Sequence, residues 1–378
     1  MNIDSLFSPY AFGKIELKNR IVMAPMTRSR AINNIPTEIM AEYYGQRSAA
    51  GLIITEGTSP SVNGLGYSRI PGIYNDVQIE GWKKITQTVH FKGGKIFVQL
   101  MHTGRISHRA NMPDNAYIFA PSAVKPAGQM WTDTFGLQEY PIPSAMTNEE
   151  IYYTKQEFIT SAVNGLKAGF DGVELHGANG YLLEQFLSPI SNRRNDTYGG
   201  TIENRCRFLL EIVEGTCNAI GKERVGIRLS PYGTASDMPH YPEISDTYKY
   251  LAEQLNRMEL LYIHIVDHSS MGAPEVPLTI KKDIRKRFHG TIILCGGYTR
   301  NSAEKELQNS RANLIAFGRP FINNPDLVER FVHDLPLVTK IDMSTFYTPG
   351  EKGYTDYPLY SKNIQLFTKE KKNDATAI

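Results

Sequence analysis

Eight short apolar runs, each followed by a segment of helical period, recur along the 378-residue chain. They are RIVMAPM (20–26), GLIITEG (51–57), KIFVQL (95–100), FDGVELH (170–176), RVGIRLS (224–230), LYIHIVD (261–267), TIILCGG (291–297) and NLIAFG (313–318). Amphipathic stretches such as TEIMAEYYGQRSA, EEIYYTKQEFITSAVNGLKAG, ENRCRFLLEIVEGTCNAI and ISDTYKYLAEQLNRMEL stand between them. Strict alternation of strand and helix makes the strands parallel, and eight such units close into a barrel. The expected fold class is therefore α/β, a single (β/α)8 TIM barrel over residues 1–378. An open doubly wound sheet would lead its first strand into a glycine-rich turn, whereas this chain continues into APMTRSR with no glycine.

Two segments fall outside the eight units. Residues 1–19, containing YAFGKIELKN, suggest an N-terminal hairpin plugging the bottom of the barrel. Residues 101–147 form a connection after strand three far longer than the usual few residues, which predicts a lid or insertion over the active face. The end, 369–378, reads as a loose tail.

Lysine plus arginine number 41 against 39 acids, a net charge of +2, so small partners are favoured over nucleic acid. Three cysteines, Cys206, Cys217 and Cys295, are too widely spaced for a disulfide framework or a zinc site. The first residues lack the pattern of a signal peptide, and no run is long enough to span a bilayer. The expectation is a cytoplasmic protein without membrane contact.

In this architecture chemistry sits where strands end. The exits carry Pro25 and Thr27; Gly57 and Thr58; Gln99 and His102; His176, Asn179 and Tyr181; Arg228; Asp267 and His268; Gly296 and Gly297; Gly318 and Arg319. No lysine stands among them, which argues against imine chemistry. CGGYTR and FGRPF offer bare amides after strands seven and eight, where barrels hold a phosphate, with Arg319 able to add a charge. Singly these are turn glycines; together, at the two expected exits, they favour a phosphorylated ligand.

Arg228 shares its face of strand five with Gly226 and lines the barrel, so it needs an anionic partner. Glu174 is one such partner, an anionic ligand the other. The Gln99 amide suits a flat heterocycle with mixed donors and acceptors. Thr27 is either a ligand contact or a helix N-cap. His176 and Asn179, three residues apart in a glycine-flanked turn, can converge as two neutral donors on one oxygen. Tyr181 beside them is a candidate proton donor. A metal site built from His102, His176, Asp267 and His268 is a weaker reading, since no close histidine pair exists and the glycine exits would go unused.

APMTR, FVQLMHTGRISHR, FDGVELHGANGYLLEQFLSPISNRRNDTYGGTIENR, VGIRLSPYG, LIAFGRPFINNPDLVERF and GYTDYP resemble the Old Yellow Enzyme family of flavin-dependent ene-reductases, from about residue 4 to about residue 360. The resemblance implies non-covalent FMN, reduction by NADPH or NADH, and ping-pong reduction of activated alkenes: enones, nitroalkenes, and in some relatives oxylipins or nitrate esters. It assigns Thr27, Gln99, Arg228, Pro25, Met26 and Gly57 to the flavin, and Gly296, Gly297, Gly318 and Arg319 to its phosphate. His176 and Asn179 bind the substrate carbonyl and phenolic ligands, and Tyr181 protonates the α-carbon. Tyr67, Met101, Phe346 and Tyr347 wall the substrate. Monomer and homodimer both stay open. Competing classes are a metal-assisted barrel hydrolase and a flavin- or phenol-binding protein without turnover.

Overall fold

The structure, a computed structural model, describes residues 5–360; the tail expected at 369–378 lies outside them. After a hairpin of β1 (Tyr10–Phe12) and β2 (Ile15–Leu17), the barrel begins with β3 (Ile21–Met23), β4 (Leu52–Thr58) and β5 (Ile96–Leu100). The segment after β5 folds into β6 (Phe119–Ala120), β7 (Gln129–Thr132), β8 (Gly136–Glu139) and β9 (Ser144–Ala145), with β7 and β8 forming an antiparallel hairpin. The barrel then resumes with β10 (Gly172–Gly177), β11 (Val225–Leu229), β12 (Tyr262–Val266), β13 (Thr291–Cys295) and β14 (Leu314–Phe317), and β14 pairs with β3 to close it. Each of the eight apolar runs supplies one barrel strand.

Helices α1 (Glu38–Gln46), α2 (Asp76–Phe91) and α3 (Asn148–Lys167) pack outside the first three barrel strands. They are followed by α4 (Leu182–Leu187), α5 (Ile202–Ile220), α6 (Ile244–Arg257), α7 (Leu278–Arg287), α8 (Arg300–Gln308), α9 (Arg319–Asn323) and α10 (Leu327–Val332). Local sequence sets the boundaries. Thr147 and Glu150 form a reciprocal capping box on α3, a device worth about 1 kcal/mol. On α5 the buried Cys206, Leu209, Ile212, Val213 and Thr216 fall at helical spacing, giving one apolar stripe toward the sheet.

Alternation along the strands divides the interior in two. Val173, Leu175, Ile227, Leu229, Ile263 and Ile265 point outward into the layer beneath the helices. Phe12 and Leu17 of the hairpin join Val22, Leu52, Ile54, Phe97, Tyr262, Ile293 and Leu314 in a separate inner cluster. Phe12 lies 5.7 Å from Phe97 and 5.5 Å from Tyr262, centroid to centroid, so the hairpin is the apolar floor of the barrel. Gly226 is required in this layer, because a Cβ there would meet the Tyr262 ring at 2.1 Å. Above the floor the inward positions become polar.

Candidate active site

The cross-strand register builds the polar half of the barrel. Gln99 pairs with Glu174, and one step higher His176, Arg228 and His264 stand in a row across β10, β11 and β12. Glu174 is fully buried and accepts from Gln99 Nε2 at 2.7 Å, from the Tyr262 hydroxyl at 3.0 Å and from His264 Nδ1 at 2.8 Å. Burial alone would raise its pKa, but His264 and then Arg228 outweigh that and hold the carboxyl below the usual range. Burial likewise disfavours a charged His264, and Glu174 overturns it, so His264 is raised. A buried charge is tolerable only with such partners.

Of the two partners open to Arg228 from sequence, Glu174 is not the one in contact: its ion-pair partner is His264. Arg228 is 5 % exposed, touches the Cys295 sulfur at 3.7 Å, and has a buried Nε without a hydrogen-bond partner. It lines a cavity of about 330 Å³ at the C-terminal ends of the strands, so its guanidinium, which bonds to no carboxylate among the described residues, faces any ligand there. Gln99 lines the same cavity and donates one of its two amide hydrogens to Glu174, which leaves its oxygen to accept from a ring N–H. Acceptor, cation and the Thr27 hydroxyl around one cavity fit the edge of a flat, electron-accepting heterocycle.

Pro25, Thr27 and Gly57 line this cavity. Thr27 caps no helix: the chain has no regular element until residue 32, and α1 is preceded by Thr37. Met26 turns toward Gly318, its sulfur 3.5 Å from where a Cβ there would stand. The other glycines group at the adjacent exits of β13 and β14. Gly297 has φ +65, and a Cβ there would meet Ser270 at 2.5 Å; Ser270 in turn accepts from Arg319 at 3.2 Å. Bare amides beside an exposed guanidinium suit a phosphate.

His176, Asn179 and Tyr181 converge on the cavity from the turn after β10. Burial, with Arg228 nearby, pushes His176 well below its ordinary pKa, so the ring is neutral. The Ala178 N–H donates to its Nδ1 at 3.3 Å, which leaves the proton on Nε2 as a donor. Asn179 adopts a left-handed φ of 60°, tolerated by asparagine better than by most residues. Its backbone N–H donates to Ser230 Oγ at 2.8 Å, and its Oδ1 lies 2.8 Å from His268 Nε2. Burial raises Tyr181 to about 12, with Tyr67 pulling back; the two hydroxyl oxygens are 3.1 Å apart.

Tyr67, Met101 and Tyr347 line the cavity, and Phe346 does not. Phe346 is drawn inward under the Arg28 guanidinium, 5.2 Å from its ring centre, while its carbonyl accepts from Arg28 and Arg30. The lining also includes Gln129, Met130 and Trp131 of β7, Tyr140 beyond β8, and Arg69. None of these was singled out in sequence, although Phe135-Gly136 after an aromatic strand is a recognisable hairpin turn. Arg69 pairs with Asp133 of the hairpin, and the Trp131 carbonyl accepts from Asn111 at 2.9 Å. Among the described residues no group of three or more histidine, cysteine, aspartate and glutamate side chains could hold a metal ion. His102 is buried with Nδ1 bonded to the Gly104 amide, and Asp267 is paired to Lys281.

Residues 5–337 match the model of the NADH:flavin oxidoreductase / NADH oxidase family. 12-oxophytodienoate reductase 7 of Oryza sativa subsp. japonica is 40% identical over 93% of this chain and 94% of its own. A probable flavin mononucleotide-dependent alkene reductase of Leishmania infantum is 40% identical over 94% and 98%. Among solved structures, morphinone reductase superposes with a TM-score of 0.91 at 42% identity, covering 95% of this chain and 97% of that one.

Proposed function

The chain belongs to the NADH:flavin oxidoreductase / NADH oxidase family, the Old Yellow Enzyme group, and from that premise we propose how its residues divide the work of an FMN-dependent ene-reductase. The enzyme is an oxidoreductase that uses FMN, draws on NAD(P)H and reduces activated C=C bonds. Bound FMN supplies the hydride. Gln99 and Thr27 would bind its ring, Arg228 would offer it positive charge, and Gly296, Gly297, Gly318 and Arg319 would hold its phosphate.

His176 and Asn179 bind the oxygen of an α,β-unsaturated carbonyl or nitro compound. As the β-carbon is reduced, negative charge moves onto that oxygen, so two preorganised neutral donors stabilise the transition state more than the ground state. Tyr181, held protonated by burial, delivers the proton to the α-carbon, and Tyr67 steadies the phenolate left behind. Met101, Trp131, Tyr140 and Tyr347 wall the alkene. Because one cavity bears both the donor pair and the ring-binding residues, nicotinamide and alkene take turns in it, which is ping-pong kinetics.

The observation that carries this reading is the pair of neutral donors, with Tyr181 beside them, facing the same cavity as Arg228, whose buried Nε has no hydrogen-bond partner. Absorption spectroscopy with a para-substituted phenol tests it. The expected result is that the purified protein shows a flavin spectrum that gains a long-wavelength charge-transfer band when the phenol is added. A flavin-loaded protein that gives no band, and no competition by phenol against an enone, overturns the assigned pocket.

A further inference from the structure

Asn179 can meet a substrate oxygen in two ways, because a carboxamide has donors on one side and an acceptor on the other. With its nitrogen inward it stabilises developing negative charge; with its oxygen inward it sets lone pairs against it. The terminal torsion of asparagine is soft, so something outside the side chain must choose. The backbone contacts do not: the left-handed φ and the bond to Ser230 fix where Asn179 stands, and leave open which way its amide faces.

His268 makes the choice. Its Nε2 lies 2.8 Å from Asn179 Oδ1, and an amide oxygen only accepts, so the ring nitrogen is the donor. His268 is itself held in place by its neighbour. Asp267, 7 % exposed, accepts from the Ser269 amide at 2.9 Å, the Val276 amide at 3.2 Å and Lys281 Nζ at 2.8 Å. These bonds tie residues 267–276 to the start of α7 and present the imidazole toward the turn after β10. Resting on the assignment of Asn179 to the substrate oxygen, we propose that His268 is a positioning residue of the ene-reductase: it locks the Asn179 carboxamide with its NH2 group toward the ligand.

The lock makes the pocket selective for ligands that present an acceptor. Burial, and next Arg228, lower His268 to about 4, so at neutral pH the ring has one N–H, and that one is committed to Asn179. The turn of β10 and the loop of β12 thereby act as one unit, in which Asn179 lines the cavity and His268 stands behind it.

The test is a phenol-binding cycle on the FMN-loaded enzyme, titrated with para-chlorophenol and read at the charge-transfer band. His268→Phe keeps a ring and removes the N–H; His268→Gln returns an N–H donor; His268→Leu repeats the loss in a smaller side chain should phenylalanine disturb the loop. The expected result is affinity about three- to tenfold weaker in the Phe or Leu variant, the worth of one neutral hydrogen bond, with flavin content unchanged and most of the loss recovered in Gln. In an Asn179→Ala background the same replacement of His268 changes nothing further, because the two residues act through one contact. Wild-type affinity in both His268→Phe and His268→Leu, alongside weakened Asn179→Ala, overturns the inference. So does a His268 loss that persists undiminished in the Asn179→Ala background. Unchanged affinity in Asn179→Ala is the distinct result that overturns the reading of Asn179 itself and the inference built on it.

Discussion

Tyr181 is half-buried between Tyr67 and the edge of His176, whose ring centre is 4.9 Å away, with its remaining face on the cavity. Burial raises its pKa to about 12, so at neutral pH it holds its proton and is available as an acid to a strongly basic carbanion centre. Tyr181→Phe keeps the ring packing and removes that proton. The expected outcome in stopped flow is flavin reduction by NAD(P)H at near wild-type rate, with alkene reduction slowed about 10²- to 10⁴-fold, the range for removal of a general acid. Equal slowing of both half-reactions would show that the phenol positions ligands and transfers no proton.

At the scale of elements, the turn after β10 hangs from one buried carboxylate. Glu184 of α4 accepts from the Gly180 amide at 2.6 Å, from Ser230 at 2.7 Å and from Tyr248 at 2.8 Å, and Ser230 carries the Asn179 amide. Burial raises Glu184 to about 7, against 4.5 for an ordinary glutamate. Below about pH 4.5 both folded and unfolded chains hold the proton and the contribution is fully present. As pH rises toward 7 the unfolded chain releases it first, so stability falls through that window by about 3 kcal/mol. Glu184→Gln cannot ionise. Thermal unfolding from pH 4.5 to 8 should show the variant gaining on the wild type as pH rises; a constant difference across that range would remove Glu184 from the pH response.

The strands were legible because each is a short β-branched run, and alternation alone placed Arg228 and Gly226 inward. The glycine exits and the His176, Asn179 and Tyr181 turn were legible for the same reason, being local to a strand end. What contacts what across the barrel was not. Glu174 could pair with Arg228 by proximity of strands, yet His264, whose strand lies beyond β11, reaches it first. Phe346 and Tyr347 are adjacent in sequence and only Tyr347 reaches the cavity, because the carbonyl of Phe346 is claimed by arginines more than three hundred residues away.

That claim is a property of the whole molecule. Arg28 and Arg30, just past the exit of β3, are both buried and spend their guanidinium groups on the far end of the chain. Arg28 donates to the carbonyls of Phe346 and Gly353. Arg30 donates to those of Thr345 at 2.8 Å, Phe346 at 2.6 Å, Gly350 at 3.3 Å and Lys352 at 3.1 Å. The segment 345–354 has no strand or α-helix of its own beyond a short turn, so these bonds satisfy much of its backbone, and Tyr354 stacked on Tyr43 at 4.0 Å adds packing. Each buried carbonyl left without a partner costs about 1–3 kcal/mol. Arg30→Met removes four of these bonds while keeping an apolar side chain of similar reach, and the segment should open locally with the barrel intact. Limited trypsin digestion should then cut after Lys352 in the variant and spare that bond in the wild type. The flavin spectrum should persist, while KM for a bulky enone rises because Tyr347 leaves the wall. Loss of FMN together with the new cleavage would mean that the chain's two ends hold the flavin face as well as the substrate face. Identical digestion patterns would mean that Arg28 and the aromatic stack suffice.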